Sequence, residues 1–294
     1  MIRFKNLTKR FENGKGISDF SFEVEEGEVF GLIGGEASGK STALRMLMGF
    51  EIPTRGRCAI NGKDCDKAAV SLHRIIGYLP DKIALPSVLT GRQFLHSCAQ
   101  IRGIKNLERL FELALKLELD VDQRIARMTA ADVQKTGIVA AFMHNPQILL
   151  LDEPFANLDS RARGNLVELI LEEKEKGRII LLTAESAEIA DLTCDRVGLL
   201  DHGNLIYLSD IENMRDNMYR KYLLQFGSAH TAMKFAKEDF EIESMKDRSL
   251  TVSIQGELLP LVRVLAKYHI TSIEPVPLSL QETFTHIYGG GLNG

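Results

Sequence analysis

The chain has 294 residues, of which 45% are hydrophobic and 26% charged, and its formal net charge is −4. This composition fits a soluble globular protein with one large domain or a large and a smaller one, and its acidic balance argues against a nucleic-acid partner. The four cysteines form no C-x-x-C pair, which argues against a disulfide framework or a zinc site and favours a reducing cytosol. No apolar stretch approaches the roughly 20 residues of a membrane span, so we expect membrane contact only through a partner.

The N-terminal segment alternates short apolar runs with turns. Ile2–Leu7 and Phe20–Val24 are predicted to form antiparallel strands, and Val29–Ile33 is predicted to form a third strand. A glycine-rich loop begins directly after this third strand, and a helical pattern of apolar residues follows the loop.

The loop spells G-x-x-x-x-G-K-S, and strand, loop and helix in this order are the context of a phosphate-binding P-loop. Its backbone N–H groups and the dipole of the following helix hold an anion. We predict that Lys40 reaches the β- and γ-phosphates of a nucleotide and that the Ser41 hydroxyl binds Mg²⁺. A plain glycine-rich turn is the alternative, which the lysine, the serine and the helix disfavour. The predicted nucleotide-binding residues are Gly34, Gly35, Glu36, Ala37, Ser38, Gly39, Lys40, Ser41 and Thr42.

Two strands and two helices are predicted between this loop and the next motif. The hydrophobic periodicity places the strands at Cys58–Asn61 and Ile75–Leu79, and the helices at Thr90–Arg102 and Leu107–Leu117.

Two adjacent carboxylates then end the apolar run Ile148–Leu151. Such a run is typical of a buried parallel strand, and ligands of open α/β sheets bind at the carboxyl ends of the strands. We predict that Asp152 belongs to the Mg²⁺ shell. Glu153 points differently because side chains alternate along a strand, and it is a candidate general base for an attacking water. The alternative is an exposed acidic turn.

The pattern restarts near residues 210–220, after a predicted helix at Ala162–Lys176 and strands at Arg178–Thr183 and Val197–Asp201. The order βαββαβ followed by a helix predicts a small α+β module of ferredoxin-like type. We therefore divide the chain into residues 1–212 and an accessory domain of residues 213–294. The predicted elements of that domain are Tyr222–Phe226, Thr231–Lys237, Phe240–Met245, Leu250–Ile254, Leu258–Lys267, Ile270–Glu274 and Leu280–Tyr288.

The order of these motifs resembles the ATP-binding subunit of an ABC transporter, of the exporter type with separately encoded membrane subunits. The resemblance covers roughly residues 1–225 and includes Ser41–Leu47, Ile76–Pro80, Leu89–Arg92 and Cys194–Val197. It implies an α/β P-loop NTPase cassette with a mixed sheet core, an antiparallel β subdomain and a helical subdomain. It also implies an ATPase that uses ATP and Mg²⁺, pairs with a second cassette and drives a membrane permease from the cytoplasmic face of the cell membrane.

The same resemblance assigns roles by position. Phe11 is similar to the aromatic that stacks on adenine, although an ordinary strand-edge aromatic is an equal alternative. Asp159 corresponds to the D-loop, which meets the partner cassette, and it is also a candidate N-cap of the next helix. In this family two cassettes bind head to tail, and each ATP lies between one P-loop and the signature motif of the other chain.

The signature segment departs from the family pattern Leu-Ser-Gly-Gly-Gln. It reads Met128–Asp132, in which Thr129 keeps a hydroxyl and Thr129-x-x-Asp132 predicts a capping box that starts a helix. Ala130 and Ala131 add Cβ atoms where close backbone approach is wanted, and Asp132 brings a negative charge towards a phosphate. We expect the helix to form and the anion seat to be degraded.

Two more positions depart from the pattern. Glu185 occupies the switch-histidine position, where an ionised carboxylate can only accept a hydrogen bond. Burial near other anions would protonate it, or it faces away from the phosphate. Asp81 occupies the Q-loop glutamine position, can also bind Mg²⁺, and would join Asp152, Glu153 and Glu185 in a group of four carboxylates. The following segment, Lys82–Thr90, is expected to contact the membrane partner.

These departures leave several functions open. The chain is either one half of a heterodimer whose partner supplies an intact signature and in which it hydrolyses ATP slowly, or a homodimer with two weakened sites in which ATP binding does most of the conformational work. ATP binding is expected in both, and we favour ATP binding with slow hydrolysis. A binding-only regulatory subunit, a non-transport ABC regulator and a P-loop small-molecule kinase are the alternatives. The kinase would leave the D-loop and the Leu-Thr-Gly-Arg segment unexplained.

Overall fold

The computed structural model describes residues 1–12, 14–211 and 219–276, and it divides the chain between Asp210 and Ile211. The two units are described separately. The boundary that the sequence pattern places between residues 212 and 213 lies outside the described residues, as does the predicted helix over residues 280–288.

A ten-stranded sheet organises the first unit, in the order β5-β4-β1-β2-β10-β9-β3-β8-β7-β6. Strands β6, β7, β8, β3 and β9 run parallel, β10 runs antiparallel to β9, and β1, β2, β4 and β5 form an antiparallel segment. The mixed sheet and the antiparallel segment confirm the predicted fold class. The strands are β1 Ile2–Arg10, β2 Gly16–Val24, β3 Val29–Gly34, β4 Arg55–Ile60, β5 Lys63–Asp64, β6 Ile76–Leu79, β7 Ile148–Leu151, β8 Ile179–Ala184, β9 Arg196–Asp201 and β10 Asn204–Asp210.

The parallel strands form the most deeply buried part of this sheet. Every residue of β3, β7 and β8 is buried, as expected for strands covered on both faces. The antiparallel strands alternate instead, and the inward rings of Phe4 on β1 and Phe22 on β2 stack with centroids 4.5 Å apart. Phe22 also stacks on Phe30 of the parallel strand β3, with centroids 4.8 Å apart. This core fixes the parallel strand ends, where the predicted site lies.

Seven α-helices accompany the sheet in the described part of the first unit. Side chains cap the N-termini of α3, α5 and α6, through Thr90, Thr129 and Asp159 respectively. No side chain caps α1. The helices are α1 Lys40–Leu47, α2 Ala69–Leu72, α3 Gly91–Ile101, α4 Glu108–Lys116, α5 Ala130–Phe142, α6 Ser160–Glu175 and α7 Ala187–Thr193.

The described part of the second unit is a four-stranded antiparallel sheet with two helices, in the strand order β12-β13-β11-β14. Its core contains Leu224, Phe226, Phe235, Leu250 and Val252. The chain order is the βαββαβ arrangement that the sequence pattern predicts. The elements are β11 Tyr219–Phe226, α8 Ala229–Phe235, β12 Glu241–Lys246, β13 Ser249–Gln255, α9 Leu259–Leu265 and β14 Ile270–Val276.

None of the helices in the described ranges combines the length and apolar character needed to cross a membrane.

Candidate nucleotide-binding site

The glycine-rich loop connects the end of β3 to the start of α1. Gly39 has φ 107°, and a Cβ there would come within 2.4 Å of Ile17 Cγ2, so this position requires glycine. Because no side chain caps α1 and its first turn holds no acidic residue, the N–H groups of that turn have no internal anion to bind. The loop and helix therefore present an anion-binding end.

The Ser38 hydroxyl supports this interpretation. Ser38 is only 5% exposed, and its Oγ has no hydrogen-bond partner in the described part of the chain. A buried hydroxyl without a hydrogen-bond partner lowers the stability of the fold, so such a group calls for an explanation, and a bound ligand is one. An anion held by the loop would supply the missing partner.

Lys40 lies buried at the first position of α1. Its Nζ donates to Gly34 O at 2.6 Å and Gly35 O at 3.1 Å, and it lies 3.2 Å from Glu153 Oε1. The lysine thus joins the two motifs predicted from the sequence, and its charge is available next to the anion-binding end of α1.

Asp152 follows β7 and is 1% exposed. Its Oδ1 accepts a hydrogen bond from Thr183 Oγ1 at 2.7 Å. Burial raises the pKa of this carboxyl, while hydrogen bonds from Thr183 and Ser41 and the charge of Lys40 oppose the rise. A carboxylate beside a serine hydroxyl offers the hard oxygen ligands that Mg²⁺ prefers, and Mg²⁺ in nucleotide sites is commonly held by one or two carboxylates and the phosphates. The residues present therefore fit Mg²⁺.

Glu153 has a left-handed backbone, with φ 47°. Burial raises the pKa of its carboxyl, and the charges of Glu185 and Asp152 raise it further, against the effect of Lys40. Asp81 in turn contributes to the raised pKa of Asp152. The fold therefore brings the four predicted carboxylates within electrostatic range of one another.

Glu185 follows the last residue of β8, and its side chain is exposed. The burial that one of the two sequence-based alternatives requires is therefore not present at this side chain. The carboxylate remains close enough to Glu153 to raise the pKa of that residue.

Two adjoining cavities of about 600 and 320 Å³ lie beside the loop, and Phe11 lines both. Lys9 Nζ lies 5.1 Å from the centroid of the Phe11 ring. The ring thus lies next to the phosphate loop, at a position where a planar base could stack. The larger cavity is lined by Lys9, Arg10, Phe11, Gly14, Lys15, Gly16, Ile17, Ser18, Gly35, Glu36, Ala37, Ser38, Asp201 and His202. The smaller cavity is lined by Phe11, Lys15, Gly16, Ala37, Ser38, Gly39, Lys40, Ser41 and Thr42.

The Met128–Asp132 segment lines neither of these cavities as far as the described residues show. Thr129 caps α5 through the predicted capping box: Asp132 N donates to Thr129 Oγ1 at 3.1 Å, and Thr129 N donates to Asp132 Oδ2 at the same distance. Thr129 Oγ1 also donates to Asp132 Oδ2 at 2.8 Å. The hydroxyl proton is thus committed within the chain, while Ala130 is exposed and Ala131 half-buried.

Asp159 is the N-cap of α6, as the sequence predicts. Its carboxylate accepts from Ala162 N at 2.8 Å, and this hydrogen bond lowers the pKa of the exposed carboxyl. The structure leaves the side chain at the surface, away from both cavities.

Two residues of the site are absent from the sequence prediction. Thr183 ends the apolar run of β8, and a polar residue at the end of a buried parallel strand is a signal that could have found it. Gln134 donates through Nε2 to Glu153 O at 3.3 Å and to Pro154 O at 3.1 Å. No spacing rule predicts that contact between α5 and the end of β7.

Comparisons with known proteins agree with this geometry. The sequence profile of the family described as ABC transporter matches residues 17–156. The uncharacterized ABC transporter ATP-binding protein MJ1023 of Methanocaldococcus jannaschii is 33% identical over 228 residues, which are 76% of this chain and 82% of that protein.

A human relative is much longer. ATP-binding cassette sub-family A member 2 is 29% identical over 285 residues, which are 91% of this chain but 12% of that protein. A solved structure of the ATP binding subunit of an ABC transporter is 30% identical, with a TM-score of 0.68 over 73% of this chain and 92% of that one.

Proposed function

Because this chain belongs to the ABC transporter family of ATP-binding proteins, we propose that it binds ATP with Mg²⁺ and hydrolyses it slowly to drive a membrane permease that exports a substrate. Cassettes of this family are ATPases, and the chain is an ATP-binding subunit of that kind. The observation that carries the proposal is the meeting of Lys40, at the uncapped start of α1, with Glu153, 3.2 Å away at the end of β7.

The binding roles follow from the contacts of the loop. The free N–H groups at the start of α1 and the Lys40 ammonium hold the β- and γ-phosphates. Lys40 then exchanges its contacts to Gly34 O and Gly35 O for phosphate oxygens. Phe11 stacks on the base in the cavity that it shares with the loop.

Ser41, Asp152 and Asp81 are the residues that would hold Mg²⁺. The ion supplies positive charge that neutralises the phosphate oxygens as negative charge shifts to the leaving group. Asp152 is already oriented by the hydroxyls of Thr183 and Ser41, so its carboxylate needs no rearrangement to serve as a ligand.

Glu153 is the proposed general base. Its raised pKa brings the carboxylate closer to the pKa range in which a base works best near neutral pH. It accepts a proton from water while the water oxygen bonds to the γ-phosphorus. The bond from that phosphorus to the β,γ-bridging oxygen breaks, and ADP and phosphate leave.

Slow turnover is proposed because two polar groups lack the hydrogen-bond donor that the family pattern provides for the γ-phosphate. Glu185 offers an acceptor where the family pattern has a donor to the γ-phosphate. The Thr129 hydroxyl donates to Asp132 within its own capping box, so a second copy of this α5 would bring a carboxylate and no free hydroxyl proton to the nucleotide. A second cassette, either another copy or a related chain, completes the proposed dimer, and the permease holds it at the inner face of the cell membrane.

The test is ATP hydrolysis by the purified chain, beside Glu153→Gln and Glu185→His, with ATP binding measured in parallel. We expect wild type to bind and hydrolyse slowly, Glu153→Gln to bind without turnover, and Glu185→His to turn over faster. Failure of the wild type to bind ATP would refute the proposal. Binding without turnover until a partner cassette is added would instead favour the catalytically weak half of an asymmetric pair.

The transporter assignment needs its own test. Affinity purification from membranes is expected to recover the chain together with an integral membrane protein, and the ATPase rate should change on reconstitution of that complex. Recovery with ribosomes or DNA in place of a membrane protein would favour a non-transport regulator.

A further inference from the structure

The backbone of Glu153 is held from two sides in a conformation that residues other than glycine seldom adopt. Its φ of 47° lies in the left-handed region. Such a conformation persists only where surrounding contacts over-determine it, and residues of this kind cluster at functional sites. The contacts that hold Glu153 are therefore candidates for a role in positioning its side chain.

Thr183 holds the amide side of Glu153. Glu153 N donates to Thr183 Oγ1 at 2.8 Å, and Thr183 Oγ1 donates to Asp152 Oδ1 at 2.7 Å. A hydroxyl has a single proton, so its donation to Asp152 leaves a lone pair for the Glu153 amide. One side chain, fully buried in β8, thus fixes both the carboxylate of Asp152 and the backbone of Glu153.

Gln134 holds the carbonyl side of the same residue. It is 3% exposed, and its Nε2 donates to the backbone oxygens of Glu153 and Pro154. Because Thr183 lies on β8 and Gln134 on α5, Glu153 is anchored to two elements other than β7, the strand that it follows.

We propose that Thr183, together with Gln134, is a positioning residue that holds the Glu153 backbone so that its carboxylate faces the attacking water. This inference rests on the proposed function for the role of Glu153. Neither side chain is suited to take the proton itself, since the hydroxyl of Thr183 is committed to Asp152 and an amide is not a base at neutral pH.

The test compares Thr183→Val, which keeps the shape but removes the hydroxyl, with Thr183→Ser, which restores it. We expect Thr183→Val to lower kcat at saturating ATP and Mg²⁺ by about ten- to a hundredfold, because small misplacements of reacting groups cost rates of that order. The KM for ATP should stay within about twofold, since phosphate contacts lie elsewhere, and Thr183→Ser should recover most of kcat. Thr193→Val is the matched control, because Thr193 is also a buried threonine, and its hydroxyl bonds to Ile189 O and the Cys194 thiol rather than to Asp152 or Glu153.

A second readout does not depend on turnover. Hydrogen exchange of the Glu153 amide should accelerate by about tenfold or more in Thr183→Val and remain unchanged in Thr193→Val, because loss of the acceptor exposes this one N–H. If Thr183→Val cannot be purified in folded form, Gln134→Met serves the same comparison, because it removes the hydrogen bond to the Glu153 carbonyl.

The outcomes separate the positioning role from the proposed function. A kcat equal to that of wild type in Thr183→Val would overturn the positioning role. So would a loss of kcat that comes with a loss of ATP affinity and a lower melting temperature, because that pattern indicates general destabilisation. Absence of turnover in the wild type would refute the ATPase proposal, while the exchange of the Glu153 amide would still decide whether Thr183 holds that backbone. Faster exchange of the Glu153 amide in Thr183→Val supports the positioning role of Thr183, and unchanged exchange rejects it.

Discussion

At the scale of single residues, the candidate site concentrates charges that the chain compensates through its own contacts. Lys40 is 6% exposed, and its ammonium is satisfied by Gly34 O, Gly35 O and the Glu153 carboxylate. Buried charges are tolerated only when they are paired and hydrogen-bonded. These internal contacts hold the Lys40 side chain at the start of α1.

Removal of this charge should therefore weaken nucleotide binding. We expect Lys40→Met to raise the Kd for ATP by about 10- to 100-fold, since hydrogen bonds to charged groups contribute about 1.5–3 kcal/mol each. Titration with a fluorescent ATP analogue measures the effect. Lys174→Met is the control, because Lys174 pairs with Asp195 and lines neither cavity. An unchanged Kd in Lys40→Met would contradict the assignment of the phosphate site.

Asp152 predicts a pH dependence of stability. Burial raises its pKa, and a carboxyl whose folded-state pKa lies above its unfolded-state value stabilises the fold below the unfolded value. That contribution is lost as the pH rises through the folded value. Near neutral pH the buried carboxylate therefore costs stability in the nucleotide-free chain.

Asp152→Asn is accordingly expected to raise the free energy of unfolding near neutral pH by on the order of 1 kcal/mol, with a smaller gain near about pH 4. Urea unfolding without nucleotide at both pH values measures this. Asp159→Asn should behave oppositely, because the pKa of that cap is lowered and its contribution is lost as the pH falls. Destabilisation by Asp152→Asn at neutral pH would show that the hydroxyl bonds outweigh burial.

The predicted residues of the site were those of local motifs. Lys40, Ser41 and Asp152 could be proposed from the sequence because the loop, or the strand end, is contiguous in sequence. The hydrogen bond from Thr183 to Asp152 could not be predicted, because it spans 31 residues and requires that β8 pair with β7. The roles assigned to all of these residues stay predictions, and the structure places Phe11, Asp81 and Glu185 near the loop or its carboxylates.

At the scale of elements, the helix termini differ in how their N–H groups are satisfied. α5 closes its own N-terminus through Thr129 and Asp132, whereas α1 has no side-chain cap. We expect Thr129→Ala to lower the free energy of unfolding by about 1 kcal/mol, the usual contribution of an N-cap. Denaturant unfolding measures it, and Thr129→Ser is the control that keeps the cap. A neutral Thr129→Ala would mean that Asp132 caps the helix alone.

Element prediction succeeded where burial left a clear signal and failed where it did not. β7 and β8 were predicted as continuous apolar runs, because both faces are buried. β10 was not predicted: it contains the apolar residues Leu205–Leu208, but none of its seven residues is buried, and exposed and half-buried residues alternate along it. α2 has four residues, which is too short for helical periodicity to appear.

At the scale of the whole molecule, the residues of the proposed ATP site all belong to the first unit. All ten strands of its sheet lie within residues 2–210, and the second unit builds its own sheet and core from residues 219–276. No strand of the described ranges is shared between the two sheets. Units with separate cores of this kind commonly fold independently.

A fragment of residues 1–210 is therefore expected to fold and to bind ATP with a Kd within about threefold of the full chain, because the loop and its carboxylates keep every described contact. Isothermal titration of both proteins measures the affinities, and ATP with Mg²⁺ should raise the melting temperature of each. The matching fragment of residues 211–294 should show no such shift. A fragment of residues 1–210 that unfolds, or binds ATP more than about tenfold more weakly, would show that the second unit supports the nucleotide site. Equal affinity would instead assign the second unit to a role outside ATP binding.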